Sequence, residues 1–156
     1  MLTLWCCACR SALPGGNEPA ATSDTGDGAA RAGELIRTEH YLLRASPPED
    51  CAETDPALGS AAAHRVGLQL SLEPTGKVQV PANPYYARLV DAEQNVYEAT
   101  LGGCGEPLTP TLPTPGHPAR GWVVFELPSG ARPVTFLYAP ELVGAPKTEL
   151  SVELRR

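Results

Sequence analysis

From His64 onward the chain alternates apolar and polar residues with strict regularity. Val66, Leu68, Leu70 and Leu72 interleave with Gly67, Gln69, Ser71 and Glu73. A period of two places one set on a buried face and the other in water, which predicts a β-strand. Pro74-Thr75-Gly76 turns the chain. Val78 and Val80, alternating with Lys77 and Gln79, then predict a second strand that Pro81 ends. Tyr85 to Val90 predicts a third, and Asp91–Asn95 is a polar hairpin connection into Val96-Tyr97. Trp122 to Leu127 is apolar on both faces except at Glu126, as a central strand requires. Val134 to Tyr138 and Leu150 to Leu154 supply two more. Upstream, Glu34 to Leu43 (ELIRTEHYLL) fits a strand or a short helix; Ile36, Thr38 and Tyr41 favour the strand.

Short strands with Gly, Pro, Asn and Asp between them predict an all-β fold, an immunoglobulin-like antiparallel β-sandwich of about seven to eight strands. The composition agrees, since 17 Pro and 15 Gly among 156 residues suit turns and leave little room for long helices. Ser46 to Ala63, with its three prolines and Cys51, reads as a loop. Glu106 to Arg120 carries five prolines and Gly116 and must be an irregular surface loop. The expected division is residues 1–33 as a truncated signal or lipoprotein leader and flexible tether, and 34–156 as the sandwich.

Twelve Lys and Arg against 18 Asp and Glu give a net charge of −6, and no basic cluster is present. Nucleic acid is excluded as an expected partner, because binding a phosphate backbone needs several cations on one face. The first nine residues, MLTLWCCAC, are apolar but short and lack a basic start. They read as the end of a leader whose beginning lies upstream. Cys9, after Ala8, is the candidate for lipid attachment, with Cys7 as the other choice. Ser11 to Gly33 has almost nothing to bury, as in a flexible tether. Membrane contact is expected only through that N-terminal lipid.

Cys51 and Cys104 stand alone in the body of the chain. In an exported protein they would form a disulfide closing a loop of roughly 50 residues, worth about 4 kcal/mol in the chain-entropy model. In a cytosolic protein they would be buried free thiols. Cys104, within Gly102-Gly103-Cys104-Gly105, also has the alternative of a reactive thiol.

Catalytic and metal patterns are sparse. His40, His64 and His117 fall on separate segments without a metal-binding spacing, and no Gly-x-Ser-x-Gly elbow supports a triad. Asp91 and Glu93 read as soluble turn residues rather than calcium ligands. No catalytic residue, metal site or cofactor is expected.

The segments NPYYARLVDAEQNVYEAT, PLTPTLPTPGHPARGWVVFELPSG and VTFLYAP resemble a bacterial domain-of-unknown-function family, number 4352. Asn83, Tyr86, Leu89, Asp91, Tyr97, Pro115-Gly116, Gly121, Val123, Phe125 and Pro128 carry the resemblance. Asn95 occupies the place of the usual hairpin glycine, a role open to Asn because it tolerates left-handed backbone angles. The resemblance implies a telokin-like immunoglobulin fold on exported or lipid-anchored proteins and brings no catalytic residues.

The expectation is therefore a non-catalytic, extracytoplasmic binding domain for a protein or cell-envelope component, with the Pro-rich loop as contact element. One rival is a structural subunit of an envelope assembly, pairing through an exposed edge at Val66–Leu72 or Leu150–Leu154. A less favoured rival is an enzyme built where histidines and carboxylates converge.

Overall fold

The computed structural model describes residues 22–24, 30–51 and 63–154. Those residues are almost entirely strand and turn; the single helical turn among them is Pro84–Tyr86. Seven strands have four residues or more: β4 (Tyr41–Ala45), β6 (Ala63–Pro74), β7 (Ala87–Asp91), β8 (Val96–Thr100), β9 (Ala119–Pro128), β10 (Pro133–Tyr138) and β11 (Leu150–Glu153). Four short ones complete the set: β1 (Thr22–Asp24), β2 (Ala30–Arg31), β3 (Leu35–Arg37) and β5 (Glu49–Asp50).

The strands form an immunoglobulin-like β-sandwich. One layer runs β1-β3-β4-β6-β9, with β5 alongside β6; the other contains β7, β10, β11 and β2. β8 joins them, pairing with β9 through Ala99 and Thr100 and with β7 through Val96 to Glu98. All pairings are antiparallel except the short β1–β3 and β2–β11 pairs. The spine is the β6–β9 ladder, ten consecutive residue pairs from Ala63↔Pro128 to Leu72↔Ala119.

Alternation explains why these segments face one another. Val66, Leu68, Leu70 and Leu72 from β6 and Val123, Phe125 and Leu127 from β9 point inward, where Leu89, Phe136, Tyr138 and Val152 meet them. Phe125 and Phe136 pack edge to face across the layers, 6.4 Å between centroids, and Phe136 stacks on Tyr138 at 6.3 Å. Such pairs add about 0.5–1.5 kcal/mol each beyond the area they bury.

Several expectations are corrected. Glu34–Leu43 is two strands, because the Thr38 hydroxyl oxygen accepts from the N–H groups of His40 and Tyr41 and reverses the chain between them. Lys77–Val80 is not a strand: Val80 is buried, but the segment finds no ladder partner. Pro84 and Tyr85 belong to the helical turn, which the Asn83 side chain caps by accepting from Tyr85 N–H. Pairing also begins ahead of Glu34, since Ala30–Arg31 lies against Val152–Glu153. Gly33, at φ +89°, lets the chain leave β2 in one layer and enter β3 in the other. Residues 1–21, with Cys6, Cys7 and Cys9, lie outside the described residues.

Gly121 marks where another segment touches the spine. A Cβ there would meet the backbone of Pro107 and Leu108. Leu108 in turn donates its N–H to Trp122 O and buries its side chain in the core. Gly121→Ala should therefore lower stability by about 1–3 kcal/mol through overpacking. Urea unfolding measures this, and a change below about 0.5 kcal/mol, typical of neutral surface sites, would contradict the close approach.

Candidate functional site

Chemistry-bearing residues cluster on the outer face of the β6–β9 ladder and at one end of the sandwich. On the outer face, Cys51 follows β5 and donates its N–H to Arg65 O at 2.9 Å. Cys104 lies in the loop after β8. The two are joined in a disulfide with Cα atoms 4.6 Å apart, so Cys104 is a bridge half and not a reactive thiol. The bridge rests on Gly67: a Cβ there would run into the Cys104 sulfur and lie 3.1 Å from the Cys51 sulfur. Gly67 thus sits in a strand whose other outward positions carry side chains, because the bridge occupies that volume. Gly105, at φ +153°, packs with equal closeness on the Trp122 indole, whose Nε1 would be 2.7 Å from an added Cβ. Val124, outward on β9, is buried and in reach of Gly103 beneath this loop. A shallow cleft of about 320 Å³ remains between Glu49, Asp50, the bridge and Trp122.

Next to it the Pro-rich segment, expected to be irregular, is tied down at several points. Leu108 N–H donates to Trp122 O and Trp122 N–H to Glu106 O, both at 2.9 Å. Thr111 exchanges two backbone bonds with Ala82, at 2.9 and 3.0 Å. Farther along, Gly116 N–H reaches the Glu73 carboxylate at 2.8 Å. Between these anchors the tip projects, with Leu112 57 % exposed among prolines. Prolines fix φ, so this loop keeps its shape at low entropic cost.

A third site corrects the reading of Asp91 as a soluble turn residue. Asp91 is 2 % exposed and accepts four hydrogen bonds. Its Oδ1 accepts from the N–H groups of Glu93 and Asn95, and its Oδ2 from the Asn95 amide, all at 2.9 Å; the Tyr97 hydroxyl donates to Oδ2 at 2.7 Å. These bonds favour the ionised form, the Asn95 amide most, and hold the carboxyl at about 2 against the opposing effect of burial. The hydroxyl's own hydrogen bond to Asp91 raises Tyr97, whose proton is held by the carboxylate. The left-handed residue of this hairpin is Gln94, at φ 69°, and not Asn95, whose side chain is spent on Asp91. With the β9–β10 turn, the hairpin borders a 380 Å³ cleft that reaches Ser129 and Arg132.

A longer open groove of about 650 Å³ crosses the outer faces of β4, β6 and β9, with Arg44, Gln69, Ser71, Glu73 and Arg120 among its walls. A fourth, about 640 Å³, lies between the β3–β4 turn and the β10–β11 connection, against Tyr41, Val78 and Leu142. Burial pushes the Tyr41 hydroxyl up to about 12.

The histidines do not converge. His40 sits in the β3–β4 turn, 3.9 Å from the Glu39 carboxylate; His64 is on β6 opposite Leu127; His117 closes the loop-tip turn with its N–H on Thr114 O. Among the described residues, no group of three His, Cys, Asp or Glu side chains is placed to hold a metal ion. Of the aromatic residues considered for a surface, Tyr138 is in the core and Trp122 half-covered by Gly105, while Tyr85 is exposed. Missed in the sequence were the roles of Gly67, Gly121 and Asp91. A glycine inside a strand pattern and an Asp four residues before an Asn are the signals that could have found them.

Because the folded-state value for Asp91 lies below the ordinary 3.8, the stability this carboxylate contributes is complete above about pH 4 and lost as pH falls toward about 2. Asp91→Asn should unfold more readily than wild type at pH 7, with the difference shrinking steadily below pH 4. Denaturation midpoints from pH 2 to pH 7 measure it, and a difference that persists undiminished at pH 2 would contradict the network.

No protein-family model matches the chain, and no curated protein matches it in sequence. Its fold recurs in solved structures. The secreted protein MPT63 of Mycobacterium tuberculosis superimposes with a TM-score of 0.62 at 11 % identity, over 83 % of this chain and 99 % of that one. The yjhA protein of Bacillus subtilis does so at 0.58 and 14 % identity, over 81 % and 99 %. A lipoprotein candidate of Bacillus subtilis, ycdA, matches at 0.60 and 13 % identity over 76 % of this chain but 38 % of its own length. This chain therefore corresponds to well under half of that protein. The likeness is one of fold, the β-sandwich.

Proposed function

We propose that this chain is an exported, non-catalytic domain that binds a protein or another component of the bacterial cell envelope through its Pro-rich loop, residues 106–120. The observation that carries the reading is the loop itself: anchored through Leu108, Thr111 and Gly116, it displays the exposed Leu112 between rigid prolines. A preshaped apolar tip on a rigid scaffold loses little entropy on binding, which favours recognition. The Cys51–Cys104 bridge supports an oxidising compartment. The fold's occurrence in a secreted protein and a lipoprotein candidate supports export. Cys9 is the proposed lipid-attachment residue, which would put the domain at the membrane surface behind its tether.

The rival reading as an assembly subunit loses its proposed edges. β6 lies between β4 and β9, and β11 between β10 and β2, so neither offers an open ladder along its paired residues.

Capture from envelope extract with the full chain tests the loop. Wild type and Val143→Asp, a change at an exposed residue outside the loop, should retain the same partner, and Leu112→Asp should weaken retention roughly tenfold, about 1.4 kcal/mol. Equal retention by Leu112→Asp would overturn the loop as contact element. Alkylation of the denatured protein isolated from its native host tests export. Cys51 and Cys104 should resist alkylation until reductant is added, and their modification without reductant would contradict it.

A further inference from the structure

We infer that the outer face of β4, β6 and β9 carries a binding site for a phosphate-bearing ligand, held by Arg44, Ser71 and Arg120. The strand register sets these three in one row. Arg44 is directly opposite Ser71, and Ser71 directly opposite Arg120. Neighbouring strands are spaced about 4.8 Å apart, so the two arginine backbones stand roughly 10 Å apart with the serine midway. That spacing lets both guanidinium groups lean over Ser71 and close on a single anion.

All three residues line the same open groove of about 650 Å³. Both arginines are exposed, and neither forms a salt bridge among the described residues. In a chain of net charge −6, two cations left side by side without a carboxylate partner depart from the usual mixed surface. Glu73, on the same groove wall, has an oxygen engaged by Gly116 N–H. Two guanidiniums against this one carboxylate leave the row net positive around Ser71.

Two guanidiniums and a hydroxyl offer donors from three directions to one group. A phosphate, with up to two negative charges and several acceptor oxygens, matches that set better than a singly charged carboxylate. Leu35, Leu42 and Pro47 give the groove an apolar flank for the neutral remainder of the ligand. Gln69, exposed two residues along β6, adds an amide for its hydroxyl groups. A phosphomonoester and a phosphodiester polymer share this chemistry.

Although Gly116 of the Pro-rich loop borders this groove through Glu73, the site is tested without any extract and by substitutions other than Leu112→Asp, so the two readings fail separately. The test is titration of the full chain, followed by amide chemical shifts, with inorganic phosphate, a glycerol phosphate oligomer, and sulfate at matched ionic strength. A saturable response centred on Arg44, Ser71 and Arg120 is expected with phosphate and weaker with sulfate. Tighter binding of the oligomer would identify a polymer as the source; equal binding would identify a free phosphomonoester. Arg44→Gln with Arg120→Gln should weaken the response at least tenfold, and Arg132→Gln, in the distant β9–β10 turn, should leave it unchanged. Ser71→Asp, which seats a carboxylate between the guanidiniums, should abolish it and serves where the double variant unfolds. A response that does not saturate, equals that of sulfate, or survives both sets of changes would overturn the site.

Discussion

The ten-pair ladder between β6 and β9 is the constraint on which the rest of the molecule depends. Its inner face supplies Val66, Leu68, Leu70, Leu72, Val123, Phe125 and Leu127 to the core, and every other layer of packing is laid against that surface. Burying one such side chain is worth about 1.5–3 kcal/mol, so this one ladder accounts for a large share of what opposes unfolding. Its outer face is equally committed. The disulfide lies on Gly67 and the Gly105 turn on Trp122; on the inward side of β9, the Pro107–Leu108 backbone lies on Gly121. Two of these three contacts exist only because a strand position lacks a side chain.

That arrangement connects fold to function through rigidity. The segments that carry chemistry are not free loops at the ends of strands; they are strapped across the middle of the sheet. The bridge closes the span between Cys51 and Cys104, 53 positions apart, and confines the unfolded chain as well. The Pro-rich segment then continues along β9 and returns through Thr111 and Gly116. Next to these straps, the row of Arg44, Ser71 and Arg120 lies one residue before Gly121 on β9 and two before Glu73 on β6. The Asp91 network plays a separate part: four donors around one carboxylate hold the β7–β8 hairpin where β8 passes between layers.

Much of the sandwich was legible because one-sided burial writes a period of two into β6, β10 and β11. The bridge was legible from two isolated cysteines. Where reading failed, the cause was a partner remote in sequence. Val78 and Val80 alternate as a strand does, but no strand lies beside them, and Val80 is a plug in a connection. Ala30–Arg31 is a strand only because Val152–Glu153 runs next to it. Arg44 and Arg120 look like solvated charges until register sets them on either side of Ser71. Asp91 looked like an ordinary turn acid because its donors, at Glu93, Asn95 and Tyr97, act together only once the hairpin has closed.

Native-state hydrogen exchange tests the primacy of the β6–β9 ladder most directly. The slowest amides of the protein should be those of Val66–Leu72 and Val123–Leu127, exchanging only through global unfolding and with the same free energy on both strands. Slower exchange in β7 and β10 than in these segments, or independent opening of β6 and β9, would contradict the account.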